Sequence, residues 1–338
     1  MKRLIPVLCM LGILLAGGCT SSNNKTTEIP LPEHPRPDFE RAEWINLNGY
    51  WSFSFDAAAA GKALSDKSVA PLESRILVPF PWGSKLSEVE DKGDIAWYGR
   101  EVTIPREWEG KRVFLVVGAS DWATTAWLDG EQAGTHQGGY TPFECELKNV
   151  RFGQAQSLII KADDTPSNAH LYGKQGYGNA RGIWQTVYLE ARGANYIQSL
   201  HFSPDIDASK VRVDVSLAQP AAEGECVTLS FKDGSQAKAV IDLQGQCCAS
   251  AEIALKDQHL WDLDDPYLYE VSAALESKDG VIDAVDSYFG QRKISVTPLP
   301  GTDYPYIALN NKPLYLQLCL DQSYHPEGFY TFPSDEFM

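Results

Sequence analysis

Residues 44–55 read W-I-N-L-N-G-Y-W-S-F-S-F, and within them Trp51-Ser52-Phe53-Ser54-Phe55 alternates apolar and polar at period two. That alternation is the mark of a half-buried strand. Short strand-like runs recur downstream at Arg75–Val78, Ala96–Ile104, Arg112–Val117, Thr124–Leu128, Ser157–Ala162 and Thr186–Ala191. Turn residues separate them, as at Asp129-Gly130 and Gly138-Gly139. The polar, Ala-rich patch Ala57 to Lys67 fits a loop or one short helix. Many short strands with turn punctuation predict an all-β sandwich of about 150 residues, read as jelly-roll-like.

A second set follows at Ile197–Phe202, Lys210–Leu217, Cys226–Lys232, Ala237–Leu243, Ala249–Leu255, Tyr267–Glu276 and Val281–Phe289. Asp233-Gly234 and Asp279-Gly280 are hairpin signals. Seven strands in roughly 100 residues match an immunoglobulin-like sandwich. Beyond Pro298, Tyr306–Leu309 and the turn Asn310-Asn311-Lys312-Pro313 form a hairpin. It leads into Leu314-Tyr315-Leu316-Gln317-Leu318-Cys319-Leu320, an unbroken apolar run expected to be a strand covered on both faces. The reading divides the chain into a leader (1–19), a Pro-punctuated tether (20–40), a first sandwich (41–193), a second (194–297) and a final piece (298–338).

The balance of 29 Lys+Arg against 45 Asp+Glu gives 338 residues a net charge of −16. Phosphate would be repelled, and no basic patch offsets this, so nucleic-acid binding is not expected. Lys2, Arg3 and the apolar run Leu4–Ala16 form an export signal too short to span a bilayer comfortably. Small residues precede Cys19 in the manner of a bacterial lipobox, so Cys19 is the expected lipidation site. An exported, lipid-anchored protein of the periplasm or cell surface follows, touching the membrane through that anchor. The remaining cysteines, Cys145, Cys226, Cys247, Cys248 and Cys319, show no C-x-x-C spacing. A single bridge from Cys226 to Cys247 or Cys248 is one option; buried free thiols are the favoured state. Six scattered histidines make no paired ligand spacing, so no metal or other cofactor is implied.

Several motifs occur in a telling order. They are Leu47-Asn48-Gly49, Val78-Pro79-Phe80-Pro81-Trp82, Trp97-Tyr98-Gly99-Arg100, Trp127-Leu128-Asp129-Gly130, His136-Gln137-Gly138-Gly139-Tyr140-Thr141-Pro142-Phe143 and Arg181-Gly182-Ile183-Trp184. Together they resemble the sugar-binding domain of glycoside hydrolase family 2, which holds β-galactosidases, β-glucuronidases and β-mannosidases. Trp261, Pro266-Tyr267-Leu268-Tyr269 and Phe289-Gly290-Gln291-Arg292-Lys293-Ile294 resemble that family's immunoglobulin-like domain. Leu309-Asn310-Asn311-Lys312-Pro313 resembles the start of its (β/α)8 barrel. Most of these residues are expected to be scaffold, identifying the family without doing its chemistry.

The resemblance implies a retaining glycosidase acting on terminal sugars of oligo- or polysaccharides. Such an enzyme needs two carboxyl groups about 5–5.5 Å apart. The family carries both glutamates on later barrel strands, and a barrel takes about 250 residues. The expected fold is therefore mostly β, ending in the first strand of a truncated barrel, with no catalytic glutamate in this chain and no activity alone. Glu327 and Glu336 are expected to be solvated loop acids, and Asp163, Asp164, Asp264 and Asp265 turn residues. Asp321 and Gln322, after the first barrel strand, are candidate substrate-binding residues. There the family often reads G-x-N-x-H and this chain reads Leu318-Cys319-Leu320-Asp321-Gln322. Lys174 and Gln175, in the Gly-rich loop Tyr172–Gly178, are a second pair. A carbohydrate is the expected partner, and a homo-oligomer is a further expectation for the full-length enzyme. A free-standing carbohydrate-binding lipoprotein is the alternative, and a surface protein without sugar contact a third.

Overall fold

Period-two strands sort their side chains onto opposite faces, and the computed structural model shows that sorting throughout. It describes residues 29–166, 179–234, 236–321 and 324–338. In Ile95–Thr103, Ala96, Tyr98 and Val102 enter one core while Trp97 points the other way. In Ala155–Asp163, Leu158 and Ile160 face that core and Ile159 faces outward, so the strand is apolar on both sides.

The first sandwich packs a six-stranded antiparallel sheet on a four-stranded one. The larger runs Ser74–Val78, Gly49–Ser54, Ile95–Thr103, Ala155–Asp163, Ala123–Leu128, Glu131–Gln137 in spatial order. The smaller runs Trp44–Asn46, Val187–Arg192, Arg112–Val117, Phe143–Glu146. Trp51, Phe53, Trp82, Tyr98 and Leu115 fill the space between them. The Ala-rich patch is a helix, Ala57–Asp66. Asp56 caps it by accepting the Ala58 amide at 2.8 Å, and Lys67 ends it in a left-handed conformation. Its small Ala60 and Ala63 lie against Ile159, covering the outer face of the large sheet beside the stacked Trp97 and Trp127.

The second sandwich sets Ile197–Asp205, Lys210–Leu217 and Cys248–Ala254 against Ala239–Asp242, Cys226–Phe231, Tyr269–Ser277 and Gly280–Phe289. Its core holds Val213, Val227, Leu229, Val271 and Phe289. The two sandwiches meet along residues 38–41. Glu40 exchanges backbone hydrogen bonds with Asp286 at 2.9 and 2.8 Å. Arg41, fully buried, forks onto both oxygens of Asp283 (3.0 and 2.9 Å) and reaches Glu190 of the first sandwich at 3.0 Å. The Pro-rich stretch before it also lies on the protein: His34 is buried between Trp44 and Tyr188.

A third sheet, Ile294–Pro298, Pro305–Leu309 and Lys312–Pro313, follows the second sandwich. Asn310 and Asn311 both take positive φ, as a tight two-residue hairpin requires. The next segment corrects the sequence reading. Leu314 still donates to the Ile307 carbonyl at 2.9 Å, but Leu314–Leu320 is not a strand. Leu318 and Leu320 are each 83% exposed. A strand is defined by its ladder, and among the described residues no neighbouring edge offers this run one. Neither of its faces is covered, and the described residues form no closed barrel.

Candidate functional site

The first sandwich carries a small ribbon at one end, Ser120–Asp121 paired with Gly182–Ile183. Gly182 sits at φ 69°, and a Cβ there would lie 2.2 Å from Trp82 and 2.3 Å from the Tyr98 hydroxyl. Only glycine lets the ribbon lie on those rings. Its flanking residues, Arg181 and Trp184, are thereby aimed away from the core.

Arg181 is held by three aspartates. Its guanidinium reaches Asp94 at 2.7 Å, Asp164 at 3.1 Å and Asp91 at 3.3 Å. Asp164 is buried, so the predicted turn residue is also the inner wall of an ion-pair cluster. Asp163 ends the strand Ala155–Asp163 and accepts the Thr165 amide, while Asp262 accepts the amides of Asp264 and Asp265.

Trp184 lies on the other side. Its indole nitrogen donates to the Gly139 carbonyl at 2.7 Å. Gly139 rests on the Asp121 carboxylate, where a Cβ would come within 2.7 Å of an oxygen. The Gly138 amide donates to the Trp122 carbonyl, closing the loop. Tyr140, 66% exposed, is thus set beside Trp184, with ring centroids 5.9 Å apart. Trp122 flanks the loop, half exposed.

The third contributor is the segment 324–332. Thr331 is buried and its hydroxyl contacts the Trp184 carbonyl at 2.5 Å and the Pro79 carbonyl at 3.2 Å. The Glu327 carbonyl accepts the Leu86 amide, and its side chain pairs with Lys85. These contacts bring Tyr330 to 5.1 Å from Trp184 and its hydroxyl to 3.1 Å from that of Tyr140. Tyr324 packs on Tyr330 at 4.8 Å. Burial, then the neighbouring tyrosine hydroxyls, push the Tyr330 phenol well above its ordinary range. It stays a neutral hydrogen-bonding group, unsuited to proton transfer near neutral pH.

The result is an aromatic patch of Tyr140, Trp184, Tyr330 and Tyr324, with Asp121 against its Gly139 turn. Rings with polar rims suit a flat, hydroxyl-rich ligand. Asp91, Asp94 and Asp164 are committed to Arg181, and Lys85 holds the Glu327 carboxyl below its usual range. Two shallow depressions lie elsewhere, one by Phe202 and Arg292 and one by Asp129 and Arg151. In the first, Phe202 and Phe289 stack on each other and Phe289 is buried, whereas the patch exposes Tyr140, so the patch is the better candidate.

Of the residues singled out from sequence, Asp321 is exposed and lies three positions before Tyr324, on the chain leading into the patch. Gln322, Lys174, Gln175 and Cys19 lie outside the described residues. Sequence reasoning quoted Tyr140 and Trp184 within family motifs but gave them scaffold roles, and it gave no role to Tyr324 or Tyr330. No cluster of three or more His, Cys, Asp or Glu suited to a metal occurs among the described residues.

Residues 195–292 match the sequence model of "Glycosyl hydrolases family 2". A β-galactosidase of Thermoanaerobacter pseudethanolicus is 25% identical over 248 residues, covering 68% of this chain and 32% of that protein. A β-glucuronidase of Paenibacillus borealis is 24% identical over 285 residues, covering 77% of this chain and 46% of the relative. The chain thus spans between a third and a half of the length of these relatives. Among solved structures, a Ruminococcus gnavus β-glucuronidase in complex with D-glucuronic acid superposes with a TM-score of 0.64 at 19% identity. That match covers 86% of this chain and 51% of the other. The same enzyme with uronic isofagomine gives 0.67, covering 90% and 52%. The match over residues 195–292 and these superpositions make the chain similar to the amino-terminal part of family 2 glycosyl hydrolases.

Proposed function

We propose that this chain is the amino-terminal, non-catalytic portion of a retaining β-glycosidase of the galactosidase and glucuronidase type. Its first sandwich lines one wall of the sugar site. The observation that carries this reading is the aromatic patch of Tyr140, Trp184 and Tyr330, set at one end of a sandwich whose fold is that of a β-glucuronidase solved with a sugar acid. Family 2-like chemistry needs an acid and a nucleophile about 5–5.5 Å apart. The carboxylates of the patch are engaged elsewhere, so this wall binds and positions a terminal sugar while both catalytic glutamates come from outside the chain.

The test is turnover and binding on the purified protein. No hydrolysis of a panel of nitrophenyl glycosides is expected. Weak sugar binding, followed by calorimetry, is expected to fall about fivefold in Tyr140→Ala, since a stacking ring contributes on the order of 1 kcal/mol. Hydrolysis by the chain alone refutes the division of labour. Binding that ignores Tyr140→Ala refutes the patch.

The exposure of Tyr140 and Trp122 favours a second reading, a free-standing carbohydrate-binding lipoprotein. That reading requires tight binding by the isolated chain, and millimolar affinity or none removes it. Both readings include export and acylation at Cys19, supported by Lys2, Arg3 and the apolar run before the cysteine. Labelling with a radioactive fatty acid in a bacterial host tests this, and label that persists in Cys19→Ala refutes it.

A further inference from the structure

Sequence reasoning favoured buried free thiols, but the second sandwich departs from that. Cys247 and Cys248 are adjacent, both exposed, and their sulfurs are 3.7 Å apart. Among the described cysteines, Cys145 is buried and Cys226 half-buried. Cys248 opens Cys248–Ala254, an edge strand paired on one side only, to Lys210–Leu217. Cys247 ends the turn before it, where Gln244 and Gly245 both take positive φ. Small reactants therefore reach both thiols.

We propose that Cys247 and Cys248 form a thiol–disulfide exchange site that closes on itself when it meets a small disulfide. The Cys248 thiolate attacks one sulfur of the small disulfide, forming a mixed disulfide and releasing one thiolate. The Cys247 thiolate then attacks the Cys248 sulfur and expels the second thiolate. Two protein thiols are oxidised by two electrons, and one small disulfide is reduced to two thiols.

Geometry sets both the order and the lability. Cys248 also lies 3.6 Å from the Ser216 hydroxyl, which can turn to donate to a thiolate. The hydrogen bond with Cys248 raises the Cys247 thiol, which fits it to the second, intramolecular step. Adjacent residues lose almost no loop entropy on closing, so what opposes the second step is ring strain. Their Cα atoms sit about 3.8 Å apart, short of the 4.4–6.8 Å that relaxed disulfides adopt. The ring is therefore strained and readily reduced, the behaviour of a labile bond and not of a structural one. Closure also strains the turn that places the Cys247 carbonyl on the Leu217 amide at 2.7 Å, coupling the redox state to the end of that ladder.

The experiment uses the folded full chain and oxidised glutathione as the probe, followed by iodoacetamide and peptide mass analysis. The expected product is one peptide carrying Cys247 and Cys248, unlabelled and lighter by two hydrogens, and returned to the dithiol by reduced glutathione. In Cys247→Ser, glutathione is expected to remain on Cys248. Glutathione retained on either cysteine of the native chain, two alkylated thiols after oxidation, or a bridge to Cys226 overturns the proposal.

Discussion

Replacing Arg41 with leucine removes a buried side chain that bonds to both sandwiches. The arginine is 2% exposed and satisfied on every side. It forks onto Asp283, meets Glu190, and donates to the Ile197 carbonyl at 2.6 Å, with Phe39 and Tyr196 rings within 6 Å. The two carboxylates fare differently after its loss. Glu190 keeps Arg192 at 2.7 Å, whereas Asp283 keeps only the Ile197 amide at 2.9 Å. A buried carboxylate stripped of its counter-charge costs about 3–5 kcal/mol, so that loss is expected for Arg41→Leu. The double variant Arg41→Leu/Asp283→Leu replaces a buried ion pair with apolar groups and is expected to recover most of it. Urea unfolding reads both effects and adds a test of coupling. Eight of the nine tryptophans lie at or before residue 184, so fluorescence follows the first sandwich while circular dichroism follows both. The two curves are expected to coincide in the parent and separate in Arg41→Leu. A loss below about 1 kcal/mol with curves still coincident would show that Arg41 does not join the sandwiches.

Gly182→Ala drives a methyl into Trp82 and Tyr98 at a residue with φ 69°, so a loss above about 3 kcal/mol is expected, measured as the thermal midpoint or as soluble yield. An unchanged midpoint would mean the ribbon can lift off those rings. Acid sensitivity is expected to involve Glu146, whose carboxyl is lowered to about 2 from 4.5, first by the Arg112 hydrogen bonds and further by Lys148, against burial. A depressed carboxyl stabilises the fold above its unfolded value, and that contribution fades as pH falls from about 4.5 toward 2. The effect is modest because both side chains keep about a quarter of their surface in water. Glu146→Gln is expected to flatten the pH dependence of the urea midpoint in that window; an identical slope would count against it.

Strands that bury one face were readable because burial writes the alternation. Lys210–Leu217 shows this, and it has the bounds the sequence predicts; Arg112–Val117, buried on both faces, was readable with equal bounds as an unbroken apolar run. Glu131–Gln137 was missed because it is an edge strand with both faces partly in water, and E-Q-A-G-T-H-Q carries no apolar period. Leu314–Leu320 failed in the opposite sense. Its composition reports that the run avoids water, but a strand also needs an edge to pair with, and composition is silent on that.

The candidate site was hard to read for a different reason. Its three segments, 121–140, 181–184 and 324–332, are joined largely through backbone acceptors. The Trp184 indole donates to the Gly139 carbonyl, and the Thr331 hydroxyl to the Trp184 and Pro79 carbonyls. Every residue carries a carbonyl, so the accepting half of such a contact leaves no mark in the sequence. The donors are visible as residue types, but an indole or hydroxyl has too many possible partners to fix one. Only the glycines carry positional information, because Gly139 against Asp121 and Gly182 against Trp82 are places where no side chain fits. Both glycines stood within the motifs that resemble family 2. Those motifs therefore mark the close approaches that shape the patch, while the rings that would face a sugar stand one or two residues away.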